Sequence, residues 1–176
     1  MSTLPKNLPP APRTTARKRP RLSPPWRKLL LTIHVTVSVG LLGTDAAVVA
    51  LVTSGWLGHA RPVTVYPAAH LLGEYLLLPL ALLALVTGLA LGLLTPWGLL
   101  RYWWVLISLA VNTVGTALAV FVLLPGLDTA ATAALAGHAV ASPSSLVRDS
   151  GAACCVLIAT VAISYYKPFG RIRRRS

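Results

Sequence analysis

The stretch from Leu29 to Ser54, LLLTIHVTVSVGLLGTDAAVVALVTS, decides the fold class. His34 and Asp45 are its only ionisable side chains, and it exceeds the ~20 residues an α-helix needs to cross the hydrocarbon core of a bilayer. A cleavable signal peptide carries a shorter apolar core of about 7 to 15 residues, so this run reads as a retained helix. Three more runs follow outward from it, Tyr66 to Thr95, Arg101 to Leu124 and Leu146 to Tyr166. Of the 176 residues 55% are apolar and only 11% charged, and the charges are pushed toward the chain ends. The expected fold is all-α, a four-transmembrane-helix bundle over residues 26–170. A disordered, basic, Pro-rich tail (residues 1–25) precedes it and a short basic tail (171–176) follows.

The distribution of Lys and Arg orients the bundle, because cytoplasmic flanks carry the excess positive charge. Lys6, Arg13, Arg17, Lys18, Arg19, Arg21, Arg27 and Lys28 precede the first helix, and Lys167, Arg171, Arg173, Arg174 and Arg175 follow the fourth. The two loops expected on the other side carry only Arg61 and Arg148. This pattern predicts a multi-pass plasma-membrane protein with both termini cytoplasmic (N-in/C-in). Trp26, Trp56, Tyr66, Trp97, Tyr102, Trp103, Trp104, Tyr165 and Tyr166 sit at the proposed helix ends, where amphipathic rings favour the headgroup layer.

The tail stretch RTTARKRPR (Arg13–Arg21) has the composition of a nucleic-acid patch. Directly ahead of a membrane helix it reads better as a topology signal held against anionic lipid, with no specific nucleic-acid partner. The Ala-rich loop from Pro125 to Ser145 is expected to carry one short surface helix. No soluble catalytic domain fits in these segments.

Inside the spans, polar side chains are few, and a titratable group in hydrocarbon is retained mostly where it meets a polar partner, a cavity or a cofactor. Helical spacing puts His34, Ser38 and Asp45 on one face of the first helix. His70 and Glu74 lie one turn apart on the second, and Gly88 and Gly92 share their face further along. Counting ~1.5 Å per residue sets Asp45 and Glu74 level, with His70 a turn nearer the outside and His34 opposite the two glycines.

Two candidate sites follow. Asp45, His70 and Glu74 are oxygen and imidazole ligands suited to a proton or to a divalent metal such as zinc or copper. Two carboxyls at one depth would share a proton. The competing reading is a neutral carboxyl hydrogen-bonded to a neighbouring helix. The second candidate is His34 facing Gly88 and Gly92, with room for a flat cofactor such as haem held by one imidazole, or else a close-packed G-x-x-x-G contact.

Ser108, Asn112 and Thr116 form an inward polar stripe on the third helix, with Asn112 expected to make an interhelical hydrogen bond worth about 1 kcal/mol. Pro79 removes a backbone hydrogen bond beside Glu74 and is placed to kink the second helix. Cys154 and Cys155 are adjacent in a helix, aimed about 100° apart, and read as small apolar residues rather than a disulfide. The sequence holds no G-x-S-x-G, Walker loop, zinc-protease helix or dinucleotide fingerprint, which removes most familiar enzyme classes.

WRKLLLTIHVTVSVGLLG (Trp26–Gly43) and YYKPFGRIRR (Tyr165–Arg174) carry a resemblance. Apart from its N-terminal tail the chain resembles uncharacterised four-helix membrane proteins of actinomycetes and other bacteria. More distantly, a first-helix histidine after a basic residue and before a glycine-containing segment is similar to CopD-like copper-resistance and HemJ-type protoporphyrinogen oxidase membrane families. The wider resemblance implies a haem or porphyrin role for His34 alone. CopD-like transport implies more than four helices, hence a homo-oligomer or membrane partner.

The leading functional expectation is a non-enzymatic membrane protein whose buried His, Asp and Glu groups organise the bundle or bind a proton or metal ion. The alternatives are a haem-linked redox protein using His34 and an oligomeric metal or ion permease that self-associates through Gly88 and Gly92.

Overall fold

The computed structural model describes residues 23–94 and 103–166, and the side chains of all of these except 104, 165 and 166. The expected tails and the turn holding Arg101 fall outside the described residues. Within them all regular structure is helical, with no strand. It forms α1 (Pro24–Trp56), α2 (Pro62–Leu72), α3 (Leu78–Leu94), α4 (Trp103–Leu118), α5 (Leu124–Leu135) and α6 (Pro143–Tyr166). Two π-helical turns, π1 (Gly73–Leu77) and π2 (Ala119–Leu123), join α2 to α3 and α4 to α5. The outcome is four rods, Pro24–Trp56, Pro62–Leu94, Val105–Leu135 and Pro143–Ser164, each long and apolar enough to cross a membrane. Their outward faces are apolar, with Val35, Val86 and Phe121 among the exposed large side chains, as a surface solvated by lipid requires.

Each rod starts and stops for a local reason. Prolines open α1, α2 and α6, where the missing N–H is one the first turn leaves unbonded anyway. α1 and α5 end alike, in Leu57-Gly58-His59 and Ala136-Gly137-His138. Each glycine takes φ +73° and each histidine N–H reaches back five residues, to the carbonyls of Ser54 and Ala133, both at 2.9 Å. That left-handed cap satisfies carbonyls a helix end would otherwise orphan.

The third rod corrects the expected boundaries: it does not stop at Leu124, and the predicted loop with a surface helix is instead α5, packed against α2 with Leu127, Ala130, Ala131 and Ala134 buried. Proline inside a helix costs a hydrogen bond and clashes with the carbonyl four residues back. Here the turn before it widens: Leu124 N–H bonds the Ala119 carbonyl five residues back, and ahead of Pro79 Leu78 N–H bonds Gly73 likewise. The kink expected at Pro79 thus falls at a widened turn within a continuous rod. The other spans also outrun expectation, α1 starting at Pro24 rather than Leu29 and the second rod at Pro62 rather than Tyr66.

The rods pack tightly at one end and loosely at the other. At the end carrying the two described interhelical turns, Val48 and Val52 of α1, Tyr66 and Ala69 of α2, Leu127 of α5 and Ser150 of α6 are almost wholly buried. Toward the termini, α1, α3, α4 and α6 form a ring. α1 packs on α3 and α6, α4 packs on α3 and α6, and the diagonal partners scarcely touch. No described side chain of α4 is fully buried. A ring without diagonal contact leaves space at its centre.

Candidate functional site

That space consists of two half-open cavities stacked along the bundle, of about 540 and 490 Å³, whose lining reaches the outer surface at Val114, Leu118 and Val122 in one and at Val35, Val39 and Val161 in the other. They share Leu41 of α1, Asn112 of α4 and Leu157 of α6, which form the floor of one and the ceiling of the other. Ser108 lines the cavity nearer the termini, Thr116 the cavity nearer the turns, and Asn112 both. The every-fourth-residue stripe on α4 thus lines the chamber. The interhelical hydrogen bond expected of Asn112 is not made among the described residues, because its amide faces a void rather than a helix. The Ser108 hydroxyl is likewise buried and without a hydrogen-bond partner among the described residues.

Asp45 lines the cavity nearer the turns. It belongs to the buried stripe of α1, Leu41, Thr44, Asp45, Val48 and Val52, whose three- and four-residue steps all face inward. It is 1% exposed, and neither carboxyl oxygen has a hydrogen-bond partner among the described residues. The nearby α1 hydroxyls are committed to their own backbone: Thr44 Oγ1 donates to the Gly40 carbonyl at 2.9 Å and Ser38 Oγ to His34 at 2.8 Å. The expected carboxyl hydrogen-bonded to a neighbouring helix is therefore absent. A lone polar group this deep carries a desolvation cost of about 1–3 kcal/mol even when neutral, and far more when charged.

His70 and Glu74 come together, with His70 Nε2 3.7 Å from Glu74 Oε2. A third member that the sequence reading missed is Asp128 of α5, whose Oδ1 lies 3.9 Å from the same nitrogen. All three side chains are partly exposed, so the pairs are screened and add little stability. The expected zinc or copper set of Asp45, His70 and Glu74 is not assembled: among the described residues no group of three or more His, Cys, Asp or Glu side chains is arranged to hold a metal ion. Equal depth did not bring them together, because Asp45 points into the ring while His70 and Glu74 reach from the second rod toward α5.

His34 lies against Gly88, as the depth count places it. A Cβ built on Gly88 would stand 3.1 Å from His34 Cε1, so the imidazole edge occupies the space the glycine leaves. No slot for a flat cofactor remains between the two. The ring is also anchored: His34 Nδ1 is 2.8 Å from Thr87 Oγ1, and the Thr87 hydroxyl proton goes to the Leu83 carbonyl at 2.6 Å. The threonine oxygen must then accept from Nδ1–H, which assigns the tautomer and leaves Nε2 as the acceptor nitrogen. His34, Ser38, Gly88 and Gly92 all line the cavity nearer the termini. Gly88 and Gly92 are thus engaged inside one chain and do not form an outer self-association face.

Cys154 and Cys155 are both free, the first half-buried and the second exposed. Asp149 also lines the Asp45 cavity and sits 3.7 Å from Arg148 Nε. No protein-family model matches this chain, and neither a curated protein nor a solved structure matches it.

Proposed function

We propose that this chain is a non-enzymatic, multi-pass plasma-membrane protein, N-in/C-in, that binds a proton at Asp45 within its membrane chamber. One observation carries the reading: a fully buried carboxyl with both oxygens unpartnered among the described residues, on a residue that lines an apolar cavity. A carboxylate there without a counter-charge is far costlier than the neutral acid, so the resting group carries its proton. Glu74, Asp128 and Asp149 each have a cationic or titratable partner and an exposed face, and stay outside this role.

Infrared spectroscopy of the purified protein in lipid nanodiscs at neutral pH tests the reading directly. The carbonyl stretch of a protonated carboxyl is expected in the parent protein and absent in Asp45→Asn. A spectrum without that band, or one in which Asp45→Asn retains it, removes the proposal.

A further inference from the structure

The chamber that surrounds Asp45 has the chemistry of a binding site, and its walls restrict the occupant. About 540 Å³ lies within the range of sites for a drug-sized molecule, and the cavity is half open, with Val114, Leu118 and Val122 of its lining exposed at the outer surface. The lining is overwhelmingly aliphatic, including Leu77, Ala81, Leu123, Val156 and Leu157, with Asn112 and Thr116 the neutral polar groups. Among the described residues no Lys or Arg lines either cavity. Any positive charge that neutralises Asp45 must therefore come from the occupant. A hydrated inorganic cation does not suit these walls: sodium, calcium or magnesium requires several converging oxygen ligands in place of its water shell, and among the described residues no three His, Cys, Asp or Glu side chains gather to hold one. An organic cation with an apolar surface needs only the one carboxylate and gains contact with the rest.

We propose that the Asp45 chamber binds a lipophilic organic cation, a quaternary ammonium or phosphonium or a protonated hydrophobic amine, in exchange for the carboxyl proton. The proposal rests on the proton reading above. Charge balances in the step: the carboxyl, whose oxygens are closed off from the cavity in this structure, turns into it, the neutral acid releases its proton to water as the cation arrives, and the carboxylate pairs with the cation.

The second cavity adjoins the first across a shared wall. It meets the first at Leu41, Asn112 and Leu157, and Ser38, Ser108 and Thr160 line its course toward the termini. Few other groups compete for the proton. From α6, Asp149 faces the same cavity and is paired with Arg148, and Cys154 lies within electrostatic range of Asp45. α3 and α4 carry no titratable residue, while His70 on α2 is engaged with Glu74 on π1 and with Asp128. His34 belongs to the adjoining cavity.

The test uses the full chain in nanodiscs with radiolabelled tetraphenylphosphonium as probe and triphenylphosphine oxide as its neutral aromatic counterpart. Saturable binding is expected, with one proton released per cation bound in weakly buffered solution and affinity falling as the pH is lowered. Asp45→Asn is expected to weaken binding at least tenfold, and the neutral oxide to bind at least tenfold more weakly than the cation. Ala153→Phe, which fills the cavity from α6 and leaves Asp45 in place, is expected to abolish binding while keeping the infrared band of the protonated acid. Absence of saturable phosphonium binding, equal affinity in Asp45→Asn, or equal binding of the neutral oxide overturns the proposal. If the band is present and the cation does not bind, only the exchange fails. If the band is missing, the proton reading falls with it.

Discussion

Gly55→Ala is expected to weaken the bundle by about 1–3 kcal/mol relative to Gly43→Ala, the typical cost of overpacking a filled core. Both glycines lie on α1, so changes in helix propensity, of up to about 1 kcal/mol, largely cancel between them. Their surroundings differ. A Cβ on Gly55 would stand 2.8 Å from Val65 Cγ2 and 3.0 Å from Tyr66 Cζ, whereas nothing lies within 4 Å of one on Gly43. Ordinary carbon contacts need about 3.5–4.0 Å, so α1 and α2 must part by several tenths of an ångström. Neither neighbour can yield outward, because Val65 is 5% and Tyr66 1% exposed, and a β-branched valine has little rotamer freedom. The measurement is unfolding by added sodium dodecyl sulfate in mixed micelles, followed by tryptophan fluorescence and helicity. Equal midpoints for the two variants, or a more resistant Gly55→Ala, would refute the close approach of α1 and α2.

Asp45→Leu is expected to raise resistance in the same titration, since it removes an orphaned carboxyl that costs about 1–3 kcal/mol and the adjoining cavity accepts the larger side chain. A less stable Asp45→Leu would show that the carboxyl is held by a partner. Thr87→Val deletes the acceptor of His34 Nδ1–H and should cost about 0.6–1 kcal/mol, the usual scale of an interhelical hydrogen bond in a membrane, while leaving phosphonium binding within twofold. A larger loss of binding than of stability would move His34 into the site. For orientation, alkaline phosphatase inserted after His138 should be active and a fluorescent protein fused after Ser176 should fluoresce; the reverse pattern would invert the bundle.

The four spans were legible because lipid demands long apolar helices and leaves little else to read. The inward stripe of Ser108, Asn112 and Thr116 was legible for the same geometric reason, as was the placement of His34 against Gly88, since helical period and rise follow from numbering alone. The end of the third rod was not. Pro125 reads as a stop, and only the widened turn before it lets the helix run on to the Gly137 cap. With that boundary misplaced, Asp128 fell into a supposed loop and its contact with His70 was hidden. The Asp45, His70 and Glu74 set failed for a different reason: depth is one coordinate, and direction around each helix depends on how neighbours pack. The chamber is the least legible feature. Its cause is the missing diagonal contact across the ring, and Asn112, read as a bonding group, faces the resulting space.

The two π-helical turns have a consequence for variation in the gene. A π turn accommodates one extra residue while the helix on either side keeps its phase. A one-codon deletion within Ala119–Leu123 would close the widened turn and leave Asn112 and Leu127 on their present faces, provided Pro125 is replaced as well. The same deletion between His34 and Asp45 would swing Asp45 by about 100° off the chamber wall. Single-residue deletions compatible with the chamber are therefore confined, among the described rods, to the two stretches beside Pro79 and Pro125. Each proline and its spare residue behave as a linked pair that mutation must remove together.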